Sequence, residues 1–207
     1  MAVGNTKLVY IVAGEASGDV LVGTQMVAKG LDFPTVTLVG VVAADIGLQA
    51  PDFRAAERSF DLIAQVCGRS GRASGGEAIV QTYAPRHPAI VAGARHEYER
   101  FARAELRVRA DAGFPPARRL VYLGVIGRDR SGAREQAERY AKVLRESGTC
   151  DVLGPAPYAI ARINSEWWFR IALLGDDGAS IRAALRSKVL PLARADHRTR
   201  LAINVDP

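Results

Sequence analysis

The chain has 207 residues, 48% of them hydrophobic, with 28 Lys+Arg against 22 Asp+Glu and a net charge of +6. That is enough apolar sequence for two compact units, or one plus a fragment. The longest apolar runs, residues 8–14 and 36–44, fall well short of a membrane span, and residues 1–15 make a poor secretory signal. Only Lys7, Lys29, Lys142 and Lys188 are lysines. An arginine-heavy basic chain is compatible with phosphate or nucleic-acid contact, and GC-rich codon usage gives the same composition. Cys67 and Cys150 form no CxxC and have no ligand spacing with His87, His96 or His197, so no metal site or disulfide is suggested and a reducing cytoplasm is expected.

In chain order, residues 8–13, 20–22, 36–42 and 78–82 read as short strands buried on both faces. Residues 54–66 read as a helix with Ala55, Phe60, Leu62, Ile63 and Val66 on its apolar face. This alternation predicts an α/β layer with a largely parallel sheet. Pro85 and Pro88 punctuate its exit, a charged connecting helix covers 90–112, and Gly113-Phe-Pro-Pro116 ends it. Beyond that, residues 119–127, 150–153, 167–174 and 200–205 read as strands and 132–147 and 180–193 as helices. Gly154-Pro-Ala-Pro157 is expected to turn the chain between the second and third of these strands. The order βαββαβ is that of a ferredoxin-like split unit, so an independent α+β domain of about ninety residues is predicted.

Two segments carry the chemistry. In Gln65-Val-Cys-Gly68-Arg69-Ser-Gly71-Arg72 the arginines are three apart, about one helical turn, so both guanidinium groups can reach one small anion. Guanidinium forks match phosphate, and an arginine directed at a γ-phosphate recurs in nucleotide hydrolysis. A solvent-facing Arg/Gly turn is the plain alternative. Upstream, Thr24, Gln25 and Lys29 suit phosphate-backbone contact at a strand end, Asp32 could accept from a ribose hydroxyl, and Gly30 would let the backbone come close. An ordinary strand–loop–strand connection remains the alternative there. In the second half, Arg118, Arg119, Arg162 and Arg170 are candidate DNA contacts. Trp167 and Trp168 are adjacent, so in a strand their rings point to opposite faces. Both pack in the core across two layers, or one is left to stack on a base or fill a partner pocket.

Together the two segments resemble motifs V and VI of superfamily 2 nucleic-acid helicases. More closely, GTQMVAKGLDFPTVTLVGVV, ADIGLQAPDFRAAERSF, QVCGRSGR and GEAIVQTYAPRHPAI resemble the primosomal replication-restart helicase family (primosomal protein N′, PriA). The likeness continues through GFPPARRLVYL, VLGPAPYAIARI and AINVDP, and so covers residues 19–207. It implies a 3′→5′ DNA helicase that recognises abandoned forks, binds ATP and magnesium between two RecA-like lobes, and carries zinc on a cysteine-rich insertion. The implied partners are forked or single-stranded DNA, primosome proteins and single-stranded-DNA-binding protein. By the same resemblance, Gln65, Arg69 and Arg72 are catalytic, Gly30, Asp32, Arg69 and Arg72 bind nucleotide, and Thr24, Gln25 and Lys29 couple to DNA. Residues 45–60 are a family signature with no chemical step assigned, and the acidic residue often preceding them appears here as Ala43.

The implied plan is an atypical lead strand and turn at 1–18, the later part of RecA-like lobe 2 at 19–86, a connecting helix at 87–116 and an α+β domain at 117–207. No lysine is followed by Ser or Thr, so the chain holds no Walker A loop, and no paired-cysteine zinc module is present. A fragment with negligible ATPase of its own is therefore expected. Residues 8–19, LVYIVAGEASGD, instead resemble the opening strand and glycine turn of lipid-A-disaccharide synthase, so a glycosyltransferase is one alternative. A non-catalytic protein-interaction domain is another.

Overall fold

A computed structural model of the chain describes residues 8–13, 20–23, 36–68 and 77–206. The chain divides into two compact units, Met1–Arg107 and Val108–Pro207.

In the first unit, β1 (Leu8–Ala13), β2 (Val20–Gly23), β3 (Val36–Val42) and β4 (Glu77–Val80) form a sheet in the order β2-β1-β3-β4. Among the described residues only the β3–β4 pair is parallel; β1 is antiparallel to both β2 and β3. This corrects the largely parallel sheet expected from the sequence. Only residues 14–19 separate β1 from β2, and a parallel pair needs a crossover of about a dozen residues or more. β3 and β4 have such a crossover, through a 3-10 helix at Ala44–Gln49 and helix α1 (Ala55–Cys67). Burial is also one-sided: Val39 and Val41 are buried while Leu38, Gly40 and Val42 are half-buried.

Leu62, Ile63 and Val66 of α1 close over Val39 and Val41, joined by Ile90 of α2 (Pro88–Ala94). Pro88 opens α2, and the imidazole Nδ1 of His87 accepts from the Ala89 amide at 3.2 Å as its cap. The single charged helix expected over 90–112 is instead α2 and α3 (Tyr98–Asp111), broken at His96 with φ +57°. Packing explains the break. Ala89, Ala92 and Phe101 share one buried cluster with Phe60, with the Phe60 and Phe101 rings stacked at 4.5 Å. A straight helix would hold residues 89 and 101 about 18 Å apart.

The second unit runs β5 (Arg119–Gly127), α4 (Arg130–Ser147), β6 (Asp151–Ile163), β7 (Glu166–Gly175), α5 (Gly178–Ala184), α6 (Leu190–Ala195) and β8 (Thr199–Val205). Its sheet has the order β6-β7-β5-β8, every neighbouring pair antiparallel. Val121, Leu123 and Val125 of β5 and Phe169, Ile171 and Leu173 of β7 point at one face. Ala133, Ala137, Tyr140 and Leu144 of α4 and Ile181, Leu185 and Val189 of the second helical segment cover that same face. Both helices therefore lie on one side of the sheet.

Two expectations are corrected in this unit. Gly154–Pro157 does not turn the chain; β6 runs through it with register shifts between Leu153 and Ala156 and between Pro157 and Arg162. Pro155 and Pro157 lack the N–H that a ladder requires, and β6 is an edge strand, where such irregularity is tolerated. The turn is Asn164-Ser165, both at positive φ (50° and 65°), a two-residue hairpin connection of the kind whose twist matches the strands. The helix expected over 180–193 is interrupted by a widened turn at Leu185–Val189, where the Leu190 amide donates to the Leu185 carbonyl. Pro191 follows at once and has no N–H to continue the regular ladder.

Candidate nucleic-acid interface

Of the residues to which the sequence assigned chemistry in the first unit, Thr24, Gln25, Lys29, Gly30, Asp32, Arg69 and Arg72 lie outside the described residues. So does the 14–18 glycine turn of the glycosyltransferase reading. Gln65 is described: it is exposed on the last turn of α1, while Leu62, Ile63 and Val66 face inward. Beside it, burial pushes the Cys67 thiol above its ordinary pKa. The Gly68 amide then donates to the Ala64 carbonyl at 3.0 Å. A Cβ at Gly68 would meet the exposed His96 imidazole at 3.3 Å, so the missing side chain makes room for that ring. His96 was not singled out from the sequence, because its approach depends on the break between α2 and α3.

The 45–60 stretch acquires a structural role. Asp45 is buried, and its carboxylate accepts from the Tyr83 amide at 2.9 Å. That bond and a second from the Thr82 hydroxyl hold its pKa below the usual carboxylate value. The Ala44 amide donates to Gln81 at 3.0 Å, and Asp52 accepts from the Arg54 amide at 2.9 Å and pairs with Arg58 at 2.8 Å. This segment ties the exit of β4 to the start of α1. Ala43, just before it, has φ +51°, a conformation that Asp or Asn adopts more readily than Ala.

In the second unit the arginines fall into two kinds. Arg118 is held by carboxylates: Nη1 donates to Asp151 at 2.7 Å, Nε to Asp176 at 2.9 Å and Nη2 to the Leu174 carbonyl at 3.2 Å. Arg119 pairs with Asp206 at 3.5 Å and Arg200 with Glu166 at 3.0 Å. These groups fasten strand ends together and offer little to a phosphate. The ion pairs of Arg118 were not legible from its neighbours in sequence.

Other guanidinium groups lie on aromatic rings. Arg130 and Arg162 are 5.1 and 5.6 Å from the centroid of Trp167. Arg170 lies over Tyr122 at 4.8 Å and Tyr158 at 5.7 Å. As adjacency predicted, the two indoles separate. Trp167 packs against the core under the helices, and Trp168 turns to the other face, edge-on to Tyr158 at 5.6 Å. The Trp168 Nε1 is buried and has no hydrogen-bond partner among the described residues. Gly124 leaves space there, since a Cβ would meet the Tyr158 hydroxyl at 3.3 Å. Arg130 was missed by sequence reasoning; nothing local marks it, because Trp167 reaches it only through the β5–β7 register.

Among the described residues no cluster of His, Cys, Asp and Glu could hold a metal ion, and no helix is long and apolar enough to cross a membrane.

Comparison with known proteins completes the picture. Residues 110–207 match the family described as the primosomal protein N C-terminal domain. The chain is 38% identical over 196 residues to a replication restart protein PriA of Bacillus subtilis, covering 93% of the chain and 24% of that protein. The corresponding protein of Treponema pallidum is 40% identical over 91% of the chain and 29% of its own length. That of Synechocystis is 40% identical over 94% of the chain and 23% of its own length. The chain thus spans about a quarter of the length of these curated relatives.

Proposed function

Because the chain belongs to the family of the replication restart proteins PriA, we propose that it is the C-terminal part of an ATP-dependent 3′→5′ DNA helicase that rebuilds the primosome at abandoned forks. In this reading residues 19–86 are the later part of a second RecA-like lobe. There Gln65, Arg69 and Arg72 face nucleotide phosphates beside Gly30 and Asp32, and Thr24, Gln25 and Lys29 follow the DNA. Residues 117–207 are a ferredoxin-like domain, a reading supported by the β6-β7-β5-β8 order with both helices on one face. The partners are forked or single-stranded DNA, other primosome proteins and single-stranded-DNA-binding protein, in the cytoplasm.

The observation that carries this reading is similarity running through both units, over 91–94% of the chain in three relatives, and not through the C-terminal domain alone. The chain's own residues do not make a complete site for ATP and Mg²⁺: no lysine is followed by Ser or Thr, so no amine and hydroxyl are placed to reach phosphate and metal together. No catalytic step is therefore assigned to it. The test has two parts. Fluorescently labelled forked DNA should bind the chain, more weakly as salt rises. Phosphate release from ATP with that DNA should stay at the level of a doubly substituted Arg69→Ala, Arg72→Ala control. Absence of DNA binding at low salt would refute the DNA role, and turnover well above the control would refute the division of labour.

A further inference from the structure

We propose that the end of the second sheet where β6 turns into β7 is a contact surface for DNA phosphates, with Arg130 and Arg162 as its paired donors and Trp167 as the ring that holds them ready. This rests on the reading of the chain as a DNA-binding protein and gives that reading a place on the surface.

The tertiary structure brings the three residues together. Arg162 on β6 stands directly opposite Trp167 on β7, and Trp167 stands opposite Gly127 at the end of β5. The chain leaves Gly127, passes the cap residue Asp129 and starts α4 at Arg130. The Arg130 guanidinium then lies over the same indole, 5.1 Å from its centroid. Both arginines are exposed. Among the described residues neither is paired with a carboxylate, unlike Arg118, Arg119, Arg134 and Arg200.

A guanidinium on an aromatic ring leaves its N–H edge open to an anion, whereas one held by a carboxylate has part of that edge occupied and its field offset by the partner's charge. Two such groups on one ring are ordered before any ligand arrives, so binding restricts fewer rotamers. Trp167 also packs against the core beneath the helices, which leaves little of its ring for a base. The chemistry left open is the N–H fork, which matches phosphate oxygens. The site therefore holds backbone without reading sequence.

The experiment uses the full chain and a forked oligonucleotide with single-stranded arms. Binding is followed by a label on the DNA and by intrinsic fluorescence, since the chain's two tryptophans are Trp167 and Trp168. DNA binding is expected to change the tryptophan emission in step with the label. Replacing Arg130→Gln and Arg162→Gln together should make the slope of log K against log salt shallower by about two. Arg134→Gln, whose parent side chain pairs with Glu138 at 2.8 Å, should leave the slope as it was. Trp167→Phe, which keeps a ring, should also keep the slope.

An unchanged slope in the double variant, or DNA binding with no change in tryptophan emission, overturns this surface and leaves the proposed function standing. Failure of the parent chain to bind DNA at low salt overturns both. Displacement of the DNA by poly-aspartate as readily as by unlabelled oligonucleotide of equal charge would assign the surface to an acidic protein and overturn the choice of DNA.

Discussion

Gly154→Ala tests whether backbone contact sets the irregular course of β6. Gly154 has φ +93°, and a Cβ there would lie 2.8 Å from the Arg170 carbonyl oxygen and 3.1 Å from the Ala156 nitrogen. Both neighbours are backbone atoms, so no rotamer change relieves the clash. Positive φ costs an L side chain about 1–2 kcal/mol. Overpacking against fixed atoms adds about 1–3 kcal/mol. The smaller conformational freedom of alanine in the unfolded chain offsets at most about 1 kcal/mol. The net loss is about 1–5 kcal/mol, and in a domain of this size each kcal/mol lowers the melting temperature by about 4–8 °C. Gly148→Ala separates the two costs, because Gly148 has φ +62° with nothing within 4 Å of its Cβ position. That variant should lose only the dihedral part. Thermal melts read from Trp167 and Trp168, on the strand next to Gly154, give the comparison. Gly154→Ala should melt clearly below Gly148→Ala. Equal melting temperatures would show that β7 yields to the new side chain, and the argument from backbone contact would fail.

Gly93→Ala sets two effects against each other: helix propensity gains about 1 kcal/mol, while overpacking costs about 1–3 kcal/mol. A Cβ there would meet the Ile63 Cβ at 3.0 Å and the Phe60 carbonyl at 3.1 Å, so a net loss of up to about 2 kcal/mol is expected by urea denaturation. A stabilised variant would mean that α1 and α2 have room to spare. Asp177, the cap of α5, has its pKa lowered to about 2, chiefly by the Ser180 hydroxyl and then by the Ala179 and Ser180 amides. A folded pKa below the unfolded value of about 3.9 gives stability that is present above pH about 4 and lost as pH falls towards about 2. Asp177→Asn keeps an acceptor and removes the titration, so its stability should fall less steeply over that range; identical pH profiles would reject the cap's contribution.

Much of the element map was legible because local pattern records local exposure. The apolar face of α1, from Ala55 to Val66, follows helical spacing, and β5 and β8 lie within a residue of their expected bounds. Strand direction was not legible. Whether β1 runs parallel or antiparallel to β3 depends on connection length and on pairing between residues far apart in the chain. The Gly154–Pro157 run carried every mark of a turn, yet Asn164-Ser165 makes it, because prolines can be accommodated at an edge strand.

The candidate site divides in the same way. Motif residues around Gln65 announce themselves by type and spacing, since a guanidinium pair one helical turn apart has a chemical meaning wherever it lies. An arginine alone announces nothing. Arg118 and Arg162 look alike in the sequence, and only the folded chain places the first between Asp151 and Asp176 and the second on Trp167. Arg130 became a candidate only when β7 paired with β5.

The residues by themselves determined most of the stretches that become helix or strand and which family the chain resembles, because period, turn chemistry and collinear motifs are properties of near neighbours. Strand orientation, the fold-back between α2 and α3, and which guanidinium groups are neutralised were decided by the tertiary structure. Those outcomes depend on contacts such as Arg118–Asp176, between side chains that only the folded sheet brings within hydrogen-bond distance.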